Sequence, residues 1–170
     1  SSECSSCTPG TFTSSTASTV CLTCPTGYHQ PVPKSTACIA CPAGYHQPAT
    51  ESTSCSACPA GTFGDPDDDK CIDCPAGKFS QDDGQSVCSS CPAGLYSQDA
   101  ATECSNCTMG KYSAAEATSC ISCSIGYYNR ELGATACLAC GAGMFASSEG
   151  STACTSCKAG YYASSTGASS

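Results

Sequence analysis

The sequence predicts a small, disulfide-rich fold: tandem short β-hairpin repeats of 16–17 residues, stacked into an extended rod with little or no helix. Three observations predict it. Cysteine fills 20 of 170 positions, above the share that marks a disulfide scaffold. The cysteines recur as Cys-x-x-Cys at a period of 17, sometimes 16, and a fixed short period takes precedence over helix or strand assignments. Large apolar residues are scarce, with 15 Leu, Ile, Val and Phe together and no Trp. A chain of this length has room for one sizeable core but lacks the residues to fill it. Covalent or metal cross-links have to supply the order.

Residues 1–170 read as one continuous array of about ten repeats. The first cysteines of the pairs are Cys4, Cys21, Cys38, Cys55, Cys71, Cys88, Cys104, Cys120, Cys137 and Cys154. The second are Cys7, Cys24, Cys41, Cys58, Cys74, Cys91, Cys107, Cys123, Cys140 and Cys157. Three residues after every second cysteine stands a glycine, from Gly10 and Gly27 to Gly143 and Gly160, which predicts a backbone position needing φ > 0 or close approach of a neighbour. Pro25, Pro42, Pro59, Pro75 and Pro92 follow the second cysteine in five repeats and suit the first corner of a tight turn.

Two residues past the glycine sits a ring: Phe12, Phe63, Phe79, Tyr96, Tyr112, Tyr128, Phe145 and Tyr162, with His29 and His46 in the second and third repeats. The ring is expected to pack on a disulfide and on the next repeat. Leu22, Ile39, Ile72, Ile121 and Leu138, each just after a first cysteine, are expected to join that ladder. Thr stands two before the closing cysteine in seven of nine loops. Each repeat is therefore read as a short strand at the ring, a turn, and a short strand ending at Thr-x-Cys. No helical apolar periodicity appears.

The net charge of −8 with six Lys and Arg excludes nucleic acid as a partner, because phosphate binding needs clustered cations. No apolar run approaches the roughly 20 residues of a membrane span, and no secretory signal is visible. The chain runs from Ser1 to Ser170 and stops inside a repeat. It is read as an excerpt, truncated at both ends, of a longer secreted protein.

Two chemistries use Cys-x-x-Cys at this spacing: structural zinc, with two pairs per metal, and a disulfide ladder in core-poor secreted chains. The Ser/Thr-rich, acidic loops favour disulfides and an extracellular setting. A redox role for ten equivalent pairs is not expected, and neither is any cofactor. Spacing alone does not fix the connectivity. A bridge within each pair closes a tiny ring and leaves the loop free. Joining first to first and second to second across neighbouring repeats is an open alternative. Joining each second cysteine to the next first one does fix the loop, giving Cys7–Cys21, Cys24–Cys38, Cys41–Cys55, Cys58–Cys71, Cys74–Cys88, Cys91–Cys104, Cys107–Cys120, Cys123–Cys137 and Cys140–Cys154. Each such loop is worth about 3 kcal/mol in the chain-entropy model, against an ordering cost of about 1–2 kcal/mol per residue. Packing between repeats has to contribute too.

Cys74-Pro75-Ala76-Gly77-Lys78-Phe79-Ser80 and Cys91-Pro92-Ala93-Gly94-Leu95-Tyr96-Ser97, each followed by a polar loop and another Cys-x-x-Cys, resemble the ephrin-receptor-like (GCC2/GCC3) cysteine-rich repeat. They are also similar to the first half of a tumour-necrosis-factor-receptor cysteine-rich module. The resemblance covers essentially the whole chain, although the seventh to tenth repeats lack the proline. It implies an extracellular, non-catalytic rod of a kind common on protist, algal and animal surfaces. It also supports the second-to-next-first pairing.

Asp65, Asp67, Asp68 and Asp69 crowd one loop, with Asp82 and Asp83 at similar depth in the next. Carboxylates suit Ca²⁺, but no Asp-x-Asp-x-Asp-Gly loop is present, and the acids read as a solvated loop. His29 and His46 are too few for a metal site and read as substitutes for the ring; their shared Gly-Tyr-His-Gln-Pro suggests duplication. Asn106-Cys107-Thr108 is a nominal N-glycosylation sequon. The Ser/Thr-rich loops permit O-glycans, and Pro31, Pro33 and Pro48 permit hydroxyproline glycans in an algal source. No nucleophile–base–orienter set exists, so no enzyme is expected. The expected function is structural: a segment of a stalk, surface coat or extracellular fibril that associates with itself or with other matrix and surface proteins. A ligand-binding or adhesion ectodomain is the second reading, and a zinc-binding array the third.

Overall fold

A computed structural model describes residues 4–65 and 69–169. Among them there is no helix. Nine antiparallel two-stranded hairpins follow one another: Thr11–Phe12 with Leu22–Thr23, Tyr28–His29 with Ile39–Ala40, Tyr45–His46 with Ser56–Ala57, Thr62–Gly64 with Cys71–Asp73, Lys78–Phe79 with Ser89–Ser90, Leu95–Tyr96 with Ser105–Asn106, Lys111–Tyr112 with Ile121–Ser122, Tyr127–Tyr128 with Leu138–Ala139, and Met144–Phe145 with Thr155–Ser156. The chain divides into two compact units, Ser1–Cys74 with Ser80–Cys88, and Pro75–Phe79 with Ser89–Ser170.

The first strand of each hairpin lies at the ring, as the sequence suggests. The second does not end at Thr-x-Cys. It lies one step later, on the two residues inside Cys-x-x-Cys, joined by Cys71 in the fourth hairpin: Phe12 pairs with Leu22 and Tyr112 with Ile121. The reason is in the ladder. The N–H of the second cysteine donates back to the carbonyl of the preceding repeat's glycine, as from Cys24 to Gly10 and from Cys107 to Gly94, both at 2.9 Å. That bond sets the register and draws the residues between the cysteines into the strand.

Nine disulfides link each second cysteine to the next first one, from Cys7–Cys21 to Cys140–Cys154, at Cα separations of 5.4–5.8 Å. They are the core. The fully buried side chains are Cys24, Cys58, Cys74, Cys91, Cys107, Cys123, Cys140 and Ser113. The rings from Phe12 to Phe145 are half-buried, and Tyr162 is exposed. The aliphatic residues after the first cysteines do not join them: Leu22 is 54% exposed, and Ile39, Ile72, Ile121 and Leu138 are exposed as well. Repeats meet backbone to backbone through glycine and the residue after the ring, so the close approach leaves these side chains at the rim.

In five repeats the residue after the ring is buried and polar: Gln30, Ser80, Ser97, Ser113 and Asn129. Its side chain satisfies itself on a carbonyl. Ser113 Oγ donates to Leu95 O at 2.9 Å and Asn129 Nδ2 to Lys111 O at 2.8 Å, each one repeat back. Replacing Ser113 with Ala removes a bond from a fully buried site, and a loss of about 1 kcal/mol is expected in denaturant unfolding of the oxidised chain.

Candidate functional site: the joint between repeats

The feature that recurs in every repeat is the joint, and it starts with a turn. The carbonyl of the residue after the second cysteine accepts the N–H of the residue after the glycine, as in Tyr28 to Pro25 (3.2 Å) and Lys111 to Thr108 (3.1 Å). The ten glycines at this position have φ between +76° and +89°, which is the third position of a type II turn. Proline thus stands at the first position of the turn, one residue before the corner. Thr8, Thr108, Ser124 and Gly141 serve equally well there, and the repeats without proline keep the same turn.

The joint at Gly94 shows how the repeats lock. Gly94 N–H donates to Ser113 O (3.0 Å) in the next repeat. Ser113 N–H in turn donates to Ala134 O (3.3 Å), one repeat further on. Gly133 N–H donates to Cys107 O (2.8 Å). The Gly133 carbonyl oxygen lies over Gly94, two repeats back, in the space a Cβ would need. Gly110 meets Gly150, Gly126 meets Gly167, Gly77 meets Glu116 and Gly10 meets Glu51 in the same way. Each of these contacts spans two repeats.

Sequence reasoning missed the far partner of this joint. It is a loop-tip residue with a second left-handed backbone: Gly84, Gly133, Gly150 and Gly167, but also Glu51 and Glu116 at φ 59° and 58°. At Gly84, Gly133, Gly150 and Gly167 the glycine itself could have signalled it. At Glu51 and Glu116 an L-residue holds the conformation with its N–H fixed to a cysteine carbonyl of the preceding repeat, Glu51 to Cys24 (2.9 Å) and Glu116 to Cys91 (2.8 Å).

The residues singled out for chemistry fall as follows. Asp67 and Asp68 lie outside the described residues. Asp83 Oδ1 accepts the N–H of Ala60 at 2.8 Å, and Asp99 Oδ1 that of Ala76 at 2.8 Å, each one repeat back. These carboxylates brace the turn of their neighbour. Asn106 is exposed on its strand, while Cys107 inside the sequon is buried and bridged to Cys120. His29 and His46 fall in separate clusters. His29 gathers with Cys41 and Cys55, and His46 with Cys58 and Cys71. Both rings stand against a bridge of the next repeat. Cys4 and Cys157 form no bridge among the described residues.

Among the described residues no helix is long and apolar enough to cross a membrane. The family model for the repeats described as tyrosine-protein kinase ephrin type A/B receptor-like matches residues 34–68, 61–107 and 110–153, together about two thirds of the chain. No curated protein matches it. Repeats of this family are non-catalytic, disulfide-rich extracellular modules.

Proposed function

The chain belongs to the ephrin-receptor-like cysteine-rich repeat family, and we propose from that premise that it is a structural segment of an extracellular stalk, surface coat or fibril. One observation carries the reading: the backbone donors and acceptors of each joint are spent on neighbouring repeats, and in the same way from Gly10 to Gly143. Such a joint makes length and leaves little polar backbone for a ligand. It is non-catalytic in this reading, since its only two histidines are both committed to bridges. Self-association or contact with other matrix and surface proteins would run along the exposed loops.

A ligand-binding or adhesion ectodomain is the second reading. The exposure of Tyr28, Ile39 and Tyr45 in neighbouring repeats favours it, since aromatic and aliphatic side chains in one patch are what a protein partner buries. Negative-stain imaging of the purified oxidised chain over a range of concentrations separates the two. Filaments or lateral assemblies that grow with concentration are expected. Monodisperse particles at every concentration would remove the fibril reading and leave the ectodomain.

A further inference from the structure

Two of the nine bridges have an imidazole against them. His29 Nδ1 is 3.1 Å from Cys55 Sγ. His46 Nδ1 is 3.1 Å from Cys71 Sγ and 3.8 Å from Cys58 Sγ. In both clusters the nitrogen and the two sulfurs lie within 4.8 Å of one another. The inner cysteine is buried, whereas the histidine and the outer cysteine are half-buried. The Phe or Tyr found at this position elsewhere has no nitrogen lone pair to offer a metal.

A bridged sulfur is a poor ligand, because the thiolate is the form that binds metal. Opened, each cluster offers two thiolates and an imidazole. That is the three-protein-ligand set of an open zinc site, with the fourth position left for water. Zinc–sulfur bonds of about 2.3 Å at a tetrahedral angle place two sulfurs about 3.8 Å apart. The donors already stand within that reach, and the main movement needed is the parting of the two sulfurs. The backbone around them carries hydrogen bonds of its own beside the bridge. Cys41 N–H donates to Gly27 O, Cys58 N–H to Gly44 O and Gly44 N–H to Gly64 O, all at 2.9 Å.

We propose that Cys41–Cys55 with His29, and Cys58–Cys71 with His46, are two latent zinc sites, closed as disulfides and formed when a dithiol opens the bridges. At each bridge one dithiol supplies two electrons and two protons. Its own sulfurs join as a disulfide, and the cysteine sulfurs become thiols. Zn²⁺ then displaces those two protons, forms two zinc–sulfur bonds and takes the Nδ1 lone pair of the neutral imidazole. At His46 the ring gives up its 3.2 Å contact with Ser56 O and carries its proton on Nε2.

The test uses the intact chain, opened anaerobically with dithiothreitol under mild conditions, desalted and given Zn²⁺. Bound metal is counted by native mass spectrometry and free thiols are mapped by alkylation. Two zinc ions per chain are expected at saturation, with Cys41, Cys55, Cys58 and Cys71 shielded from alkylation. H29Y should retain one zinc and H29Y/H46Y none, although the same bridges open. Tyrosine stands at this position in three of the other repeats among residues 96–128, and nine bridges in the oxidised variants, read from intact mass, check that they fold. Equal zinc uptake by the double variant, zinc held at other opened bridges, no zinc on opened wild type, or reduction that opens other bridges while these two stay closed would each overturn the proposal.

Discussion

Gly94→Ala is expected to destabilise the oxidised chain by about 3 kcal/mol. A left-handed backbone costs an L-residue about 1–2 kcal/mol, and Gly94 has φ +88°. The new Cβ would also overlap the Gly133 carbonyl carbon and oxygen, which is backbone and cannot swing aside as a side chain does. Overpacking of that kind costs about 1–3 kcal/mol. Gly143→Ala is the matched control. Its φ is +79° and nothing lies within 4 Å of its Cβ position, so it bears the conformational cost alone. Thermal unfolding gives the difference, and hydrogen exchange locates it. In Gly94→Ala the amides of Gly94, Cys107 and Gly133 should lose protection, across three repeats. Equal losses in the two variants would mean that the contact across two repeats contributes nothing.

Removing one bridge is expected to be as severe. In Cys107→Ala/Cys120→Ala a sequence separation of 13 is no longer closed. Loop-closure entropy alone is worth about 3 kcal/mol, and Cys107 is fully buried, so a void is added. The repeat between these positions should lose hydrogen-exchange protection. The loss should spread to Gly133, whose N–H donates to Cys107 O, while a non-reducing peptide map still shows the other eight bridges. Unchanged protection would mean that the hydrogen bonds, not the bridges, hold the repeats.

Much of the hairpin was legible because its causes are local. A cysteine period, a glycine at a fixed offset and a ring two residues on each write themselves into the sequence. The errors arose where the cause lies in another repeat. Sequence alone puts the returning strand before Cys-x-x-Cys, since nothing local shows that the Cys24 N–H reaches back to Gly10 O. The chemistry of Leu22 and Ile121 suits packing, but the closeness of the backbones keeps them at the rim. The corner that suits proline is occupied by the residue after it. The loop-tip partner of the glycine is invisible at Glu51 and Glu116, because an L-residue held left-handed by a distant carbonyl leaves no compositional trace. The joint was thus half readable: its glycine was evident, and what fills the space above that glycine was not.

The reach from Gly10 to Glu51, and from Gly94 to Gly133, has a statistical-mechanical consequence. Solenoid stability is ordinarily a sum of intrinsic terms and nearest-neighbour couplings. Here the sum carries second-neighbour couplings as well, which lengthens the cooperative segment and narrows the thermal transition. A cut anywhere in such an array strips contacts from two repeats on the exposed side rather than one. Fraying should therefore advance in pairs, and the shortest fragment that contains every type of contact is three repeats long.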